Sequence, residues 1–427
     1  MEEREQLWYG LQTGLGVYYL LVVVMNFGFA AYCIKKAKKP GQGLLWIGVA
    51  AVFFIFSVVN FAHLGLTMPV GAKGFVNWLM GPVAYSTLSV VGFIALIVFR
   101  KTLVKPAVAW GILQVSLLLV GVFVTDYNFY QNVSRPDNIP IPMLIFSVGF
   151  FTWLALRYAV INDERIANGE PPLERLQDEK VLVWPDLVYT ELIAMVICTF
   201  VLIVWAIILK APLEQPATTA RAPNPSKAPW YFLGLQEMLV YYDPWMAGVV
   251  LPTMIIVGLV AMPYIDFNKK GNGYYTYNER PFAIITYLFG FLVLWVTLIV
   301  LGTILRGPNW NFFGPFEYWD PHKVDPLNNV NLSDWFWLDL MGKSPKEVTP
   351  LLRELPGLIC VIAYLFLLPP LLAKFFMRKF FLKMGFVRFF LLVTLLQFMA
   401  ALPIKMVLRW VFNLKYIVAF PEYFFNI

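Results

Sequence analysis

The feature that most constrains this chain is a series of ten apolar runs, each long enough to cross a lipid bilayer. A membrane-spanning helix needs about 20 mostly apolar residues, and it satisfies its backbone polar groups internally. We call the runs spans one to ten; they cover residues 13–34, 43–66, 80–99, 107–125, 141–160, 188–209, 246–265, 281–303, 356–377 and 386–404. They predict an all-α, polytopic membrane protein of about ten transmembrane helices.

The composition agrees with a membrane protein and argues against a soluble globular domain. Hydrophobic residues make up 59% of the 427 residues, and charged residues only 14%. The net charge of +7 comes from basic clusters in short loops between spans, so it predicts topology and no nucleic-acid partner. Residues 1–6 contain no basic region ahead of a short apolar core, so span one is expected to be retained.

The positions of the basic residues predict the orientation of the chain. Clusters of Lys and Arg follow spans one, three, seven and nine, and all four clusters lie on one side if there are ten spans. The positive-inside rule makes that side cytoplasmic. Both termini and the segment 222–245 are therefore expected on the outer side.

The same pattern divides the chain into five segments. Residues 1–160 form a five-span block of unknown role, and 161–187 form a cytoplasmic linker. Residues 188–305 form a second block, followed by an outer aromatic-rich loop, 306–355, whose Trp and Tyr side chains favour the membrane interface. Residues 356–427 hold the last two spans and an outer tail.

The end of span ten carries two conspicuous cations, Lys405 and Arg409. We expect the helix to end near Pro403, so that both cations extend to water from an outer amphipathic helix. If the span continued through them, they would be costly in the membrane and functional by default.

The segment from Ala222 to Trp245 stands out between spans six and seven. Its first half is expected to be extended, because a proline fixes its own φ and biases the preceding residue away from the helical region. The prolines are Pro223, Pro225 and Pro229. A short surface helix is then predicted by residues at helical spacing, with Pro229 suited to its first turn. These are Trp230, Leu233, Glu237 and Tyr241.

Histidines and cysteines limit the redox groups that this chain can hold. Two haems with paired histidine ligands need four histidines, and the chain has only His63 and His322. For His63 we favour a hydrogen-bonded packing or interface residue, with contact to a quinone or haem as the alternative. The three cysteines have no CxxC or CxxCH spacing, which excludes a covalent c-type haem, and we predict no metal site.

Several short motifs within residues 186–305 carry a family resemblance. They are Ala-Pro-Leu-Glu-Gln-Pro-Ala at 211–217, Pro-Asn-Pro at 223–225, Lys-Ala-Pro-Trp-Tyr-Phe-Leu at 227–233, Pro-Tyr-Ile-Asp at 263–266, Tyr-Tyr-Thr at 274–276 and Glu-Arg-Pro-Phe at 279–282. In this order they resemble the C-terminal domain of cytochrome b, which forms the separate subunit IV of cytochrome bf complexes.

The resemblance implies that quinone or quinol is the cofactor and that the segment 222–245 contributes to an outer quinol-oxidising site. The family's signature is Pro-Glu-Trp-Tyr, and this chain has Ala-Pro-Trp-Tyr at 228–231. Trp230 and Tyr231 therefore carry over, while Pro229 replaces the glutamate. We expect Pro229, Trp230 and Tyr231 to contact the quinone, with Tyr231 also in a catalytic role.

The missing glutamate leaves the proton acceptor open. Glu237 and Asp243 are the nearest acids, and Glu237 is our catalytic candidate. A carboxylate in a half-desolvated site has a raised pKa and can take a proton near neutral pH. The alternative is that Glu237 only caps or pairs at the surface.

Together these expectations describe a haem-free membrane subunit of a cytochrome bc-type quinol oxidoreductase. It would lie in an energy-transducing inner membrane, contact membrane lipid and be inactive alone. Electrons would pass through partners, namely a separate haem-bearing cytochrome b subunit and a Rieske-type iron–sulfur protein, cytochrome c subunits, or both. The alternative is a non-redox scaffold or a transporter that retains a degenerate quinone domain.

Overall fold

The computed structural model describes residues 2–65, 67–135, 138–176, 179–209, 216, 218–220, 222–271, 273–325 and 328–427, with side chains from Trp8 onward. This part of the chain is predominantly helical and contains two very short strands. The predicted all-α, polytopic fold class is confirmed.

Nine helices in the described ranges are long and apolar enough to cross a membrane. They are Trp8–Lys35, Pro40–Phe61, Pro106–Phe123, Pro140–Ala167, Val183–Ile208, Met246–Ile265, Pro281–Leu305, Leu355–Phe376 and Phe386–Phe412. A tenth candidate is the pair Val70–Leu79 and Pro82–Val98, bent by 73° at its break. These helices correspond to spans one to ten, with span three in the bent pair.

Many of these helices begin at a proline. Proline suits the first helical turn because its fixed φ is helical and its missing N–H would have no partner there. Spans two, three, four, five and eight start in this way, at Pro40, Pro82, Pro106, Pro140 and Pro281.

Shorter elements connect the spans. The helical ones are Arg100–Leu103, Tyr127–Val133, Leu173–Leu176, Leu233–Met238, Pro308–Trp310, Leu332–Asp334, Trp335–Leu340, Pro345–Glu347, Pro350–Arg353, Arg378–Met384 and Pro421–Tyr423. The strands Ala419–Phe420 and Phe425–Asn426 pair antiparallel, with Ala419 opposite Asn426.

Span ten differs from its predicted boundary. The helix continues through Pro403 to Phe412 and ends where Asn413 adopts a left-handed conformation, with φ 53°. A membrane helix tolerates an internal proline when neighbouring groups satisfy the freed backbone. Lys405 is only 2% exposed, so the prediction that it extends to water from a separate outer helix is wrong.

The chain forms two compact units, and each has its own core. The first comprises residues 1–81, 95–217 and 313–319. Spans one and two pack together there around Leu15, Tyr19, Val22, Val23, Ala50 and Phe53. Ser57 Oγ donates a hydrogen bond to Gly16 O at 2.7 Å, and Asn26 Nδ2 donates to Gln114 Oε1 at 2.7 Å. Such polar contacts are typical of helix packing in membranes.

The second unit comprises residues 82–94, 218–312 and 320–427. One of its clusters contains Ile265, Met384, Phe389 and Val393. Gly302 in span eight allows the short helix Leu233–Met238 to approach closely, since a Cβ there would lie 3.1 Å from Leu233 O. The five-segment division of the sequence stays a prediction.

Candidate functional site

The segment 222–245 lies within the second unit and has the predicted order of conformations. It is non-helical up to Ala228, turns at Pro229 and enters the helix Leu233–Met238. Phe232 N donates to Pro229 O at 2.8 Å, which closes the turn. The helix is shorter than the spacing from Trp230 to Tyr241 predicted, because turns flank it on both sides.

Glu237 is at the centre of this site and is fully buried, with 0% exposure. Arg306, at the end of span eight, holds its carboxylate with two parallel hydrogen bonds. Arg306 Nη2 lies 2.8 Å from Glu237 Oε1, and Arg306 Nε lies 2.9 Å from Oε2. A bidentate pair of this kind is strong and geometrically specific. It fastens the short helix to span eight.

Two further donors complete the environment of Glu237. Tyr241 OH donates to Oε1 at 3.1 Å, and Trp310 Nε1 donates to Oε2 at 3.1 Å. Burial, followed by the charge of Glu237, raises the pKa of Tyr241 well above its usual value, so this hydroxyl stays protonated as a donor. Each oxygen of Glu237 therefore accepts two hydrogen bonds.

Arg306 is correspondingly well satisfied. Its Nη1 donates to Trp310 O at 2.7 Å, and its guanidinium carbon lies 3.6 Å from the centre of the Phe312 ring. An arginine over an aromatic face gains a favourable cation–π interaction. The Glu237–Arg306 pair is thus a buried ion pair whose members both have additional partners.

Polar contacts also fasten the extended part of the segment. Lys227 Nζ donates to Thr303 O at 3.0 Å and to Arg306 O. Asn224 and Asn309 exchange two bonds: Asn224 Nδ2 donates to Asn309 Oδ1 at 2.9 Å, and Asn309 N donates to Asn224 Oδ1 at 2.7 Å. Both contacts join the segment to the end of span eight and the residues that follow it.

Gln236 closes the segment on itself. Its Oε1 accepts from Ala228 N at 3.0 Å, and its Nε2 donates to Ser226 O at 2.7 Å. The residues before Pro229 are thereby held against the helix that follows it.

The turn presents aromatic side chains on this fixed base. Tyr231 is 51% exposed and Phe232 is 52% exposed, whereas Leu233 and Gly234 directly after them are buried. The rings of Trp230 and Tyr231 meet edge to face, with centroids 5.7 Å apart. The sequence-predicted contact residues therefore form an accessible aromatic surface.

Asp243 lies at the other end of the segment and is half-buried. Its Oδ1 accepts from Tyr416 OH at 3.1 Å and from Asn426 Nδ2 at 3.4 Å. Burial, with a smaller contribution from Asp243, raises the pKa of Tyr416 to about 12. Tyr416 therefore donates to Asp243 at neutral pH.

The structure separates the predicted site residues into two groups. Pro229, Trp230 and Tyr231 lie together at the exposed turn, while Glu237 points into the buried ion pair. The expected half-desolvated position of Glu237 is wrong, because the short helix packs on span eight and closes the carboxylate in. Its catalytic role stays a prediction.

Arg306 and Trp310 are the site residues that sequence reasoning missed. The sequence interpretation placed both at the start of an interfacial aromatic loop. One signal was available: Arg306 is the first charged residue after the long apolar run of span eight. A lone cation at the end of an apolar helix needs an acidic partner. Glu237 is an acid that stands among mostly apolar residues in the segment 222–245.

Other sequence candidates have structural explanations. His63 Nδ1 lies 3.0 Å from Gln12 Oε1, and its ring stacks on Tyr9 with centroids 3.8 Å apart, which confirms the hydrogen-bonded packing interpretation. Among the residues that the structure describes, no group of His, Cys, Asp and Glu is arranged to hold a metal. The motif at 211–217 lies outside the described residues except for Pro216.

Comparison with known proteins adds no family to this geometry. No protein-family model matches the chain, and no solved structure matches it.

Proposed function

We propose that this chain is a haem-free membrane subunit of a cytochrome bc-type quinol oxidoreductase and forms one wall of its quinol site. The observation that carries the proposal is the exposed aromatic turn at Trp230, Tyr231 and Phe232, fixed to a buried base by the Glu237–Arg306 pair. The motif resemblance of the same residues supports it.

The turn suits an aromatic, largely apolar ligand. Aromatic rings bind one another through offset or edge-to-face packing, and Tyr231 combines such a surface with a hydroxyl. In this proposal Trp230 and Tyr231 pack on the quinone ring, and Tyr231 OH orients a quinone oxygen. The quinol supplies the electrons and protons of the reaction, and the electrons pass to partner subunits.

Fixation of the turn contributes to binding. A loop that is already ordered loses little conformational freedom when a ligand binds. The contacts of Lys227, Gln236 and Glu237 hold the segment before any ligand arrives. We therefore assign Glu237 a positioning function through Arg306, in addition to its predicted role as proton acceptor.

Proton acceptance can be assigned to either of two acids. Glu237 would have to exchange its hydrogen bonds with Arg306 for a bond to the quinol. Asp243 is half-buried, and in the described part of the chain its carboxylate accepts from the neutral donors Tyr416 and Asn426. Substitution of each acid by its amide distinguishes the two.

The partners and location follow from the same proposal. A separate haem-bearing cytochrome b subunit and a Rieske-type iron–sulfur protein, cytochrome c subunits, or both would carry the electrons. The membrane would be an energy-transducing inner membrane, with both termini and the aromatic turn on the outer side.

The test is to purify the complex from native membranes with Tyr231→Ala or Tyr231→Phe in this chain, and to assay quinol oxidation. Tyr231→Ala should reduce turnover at least tenfold in complexes of normal composition. Tyr231→Phe keeps the ring and removes the hydroxyl, so it should separate ring packing from oxygen orientation. Normal turnover in the alanine variant would rule the proposal out.

A second candidate, a non-redox scaffold, is favoured by one observation. All four donors around Glu237 leave its carboxylate fully engaged, as in a purely structural ion pair. A scaffold predicts that Tyr231→Ala leaves turnover unchanged wherever the complex assembles. It also predicts that the effects of Glu237 variants follow assembly alone.

A further inference from the structure

Span ten carries a polar face that the proposed quinol site does not use. Thr394, Gln397 and Lys405 are i, i+3 and i+11 along this helix, so they project within about 80° of one another. Lys405 is 2% exposed and Gln397 is 3% exposed. We call these three residues the polar face. Ionisable residues inside membrane helices are costly and mark functional pathways by default.

Two polar atoms of this face, and one of Tyr242 next to Lys405, are buried and have no hydrogen-bond partner in the described part of the chain. They are Thr394 Oγ1, Gln397 Oε1 and Tyr242 OH. Buried polar groups are nearly always satisfied, and ordered water is the usual partner where protein groups are not. These atoms therefore indicate bound water.

Tyr364, in span nine, contacts the polar face at Gln397. Tyr364 OH donates to Gln397 O at 2.7 Å, and Gln397 Nε2 donates back to Tyr364 O. Burial, with a smaller contribution from Tyr364, raises the pKa of Tyr242, so the Tyr242 hydroxyl stays protonated. Hydroxyls of this kind can donate one hydrogen bond and accept another.

Lys405 lies on the polar face toward the end of the helix. Its Nζ lies 5.6 Å from the centre of the Tyr242 ring and 5.9 Å from that of Tyr416, and it donates to Lys415 O at 2.6 Å. Tyr416 OH in turn donates to Asp243. Polar groups therefore occur along this side of span ten from Thr394 to the half-buried carboxylate of Asp243.

We propose that the polar face holds a chain of ordered water molecules that carries protons between Thr394, well inside span ten, and Asp243 at its far end. From Thr394 to Lys405 the route covers about 17 Å along the helix axis, roughly half of a bilayer's apolar thickness. Each water or hydroxyl along the route passes one proton onward and receives one, so its own charge is unchanged. A proton that arrives at Asp243 neutralises the carboxylate, and its release restores the negative charge. The route does not depend on quinone chemistry.

Labelling by hydroxyl radicals generated from bound water tests whether water is present. Tyr241 and Tyr242 form a matched pair, because they are adjacent and 1% and 2% exposed, but among the described residues a hydrogen-bond partner is present for the Tyr241 hydroxyl and not for that of Tyr242. X-ray irradiation of the purified full chain should label Tyr242 at least tenfold faster than Tyr241. Equal, slow labelling of both would overturn the proposal.

Exchange of a thiol proton for deuterium tests proton access directly. In a chain whose native cysteines Cys33, Cys198 and Cys360 are replaced by alanine, Thr394→Cys places a thiol on the polar face. Val393→Cys places one at the same depth in the apolar cluster, where Val393 is 0% exposed. After transfer to D2O, infrared spectroscopy of the S–H stretch should show exchange at position 394 at least tenfold faster than at 393.

A blocking substitution completes the test. Gln397→Leu removes the polar group next to position 394 and should slow exchange of the Thr394→Cys thiol at least tenfold, without changing the Val393→Cys thiol. Equal rates at positions 393 and 394, or a rate at 394 that Gln397→Leu leaves unchanged, would show that no such route exists.

Discussion

The buried pair Glu237–Arg306 makes a sharp prediction about stability. Glu237→Gln preserves the shape of the side chain but leaves the guanidinium of Arg306 without its counter-charge. Arg306→Met removes two donors from the Glu237 carboxylate and leaves it the neutral donors Tyr241 and Trp310. Breaking one side of a buried ion pair typically costs about 3–5 kcal/mol. Either change should therefore lower the ratio of folded to unfolded protein by roughly two to four powers of ten.

The double variant tests whether the pair is the cause. Glu237→Gln combined with Arg306→Met removes both charges, so it should be less destabilised than the sum of the two single variants by at least about 2 kcal/mol. Unfolding of the purified chain in mixed micelles, followed by tryptophan fluorescence, measures all three. Glu170→Gln is the control, because Glu170 pairs with Arg165 from an exposed position at the surface, where such a pair is worth at most about 1 kcal/mol.

Two outcomes would refute this reasoning. Single variants that lose less than about 1 kcal/mol would mean that the pair is not held as described. Additive losses in the double variant would mean that the two residues act independently.

Three further predictions concern other contacts. Gly357→Ala should detach the C-terminal segment and expose it to protease, because the added Cβ would clash with the main-chain oxygen of Ile417. Gly10→Ala, with open space around it, is the control. The bidentate contact with Arg353 lowers the pKa of Glu422 below its ordinary value of 4.5. The stability that this contact adds is therefore fully present above about pH 4.5 and is lost as the pH falls through the lowered pKa. Protease resistance of the C-terminal tail, measured against pH, tests this, and Arg353→Gln should abolish the pH dependence. Cysteines at positions 220 and 270 should react with impermeant reagents from opposite sides of the membrane, and labelling from one side would contradict the proposed topology.

The sequence was sufficient for the spans because their signal is local. Each span is a continuous apolar run, and prolines such as Pro140 and Pro281 mark where helices begin. The end of span ten was mispredicted because the effect of Pro403 depends on the groups that pack around it. The burial of Lys405 shows that span ten still packs against its neighbours beyond Pro403.

The candidate site was predictable only in part. Pro229 and the aromatics after it are adjacent in sequence, so their turn could be anticipated. The partner of Glu237 lies 69 residues away, at the end of another span. Helical periodicity does not report which spans meet, so the sequence left open whether Glu237 faces water, a ligand or an ion-pair partner.

Quinol oxidation by a native complex carrying Tyr231→Ala tests the central claim most directly. Haem spectra and subunit composition would first establish that the variant complex is intact. The proposed aromatic wall predicts that turnover of the Tyr231→Ala complex falls at least tenfold. If ring packing dominates, Tyr231→Phe should retain most of the wild-type turnover. An intact Tyr231→Ala complex that oxidises quinol at the wild-type rate would contradict the proposal that this turn forms the quinol site.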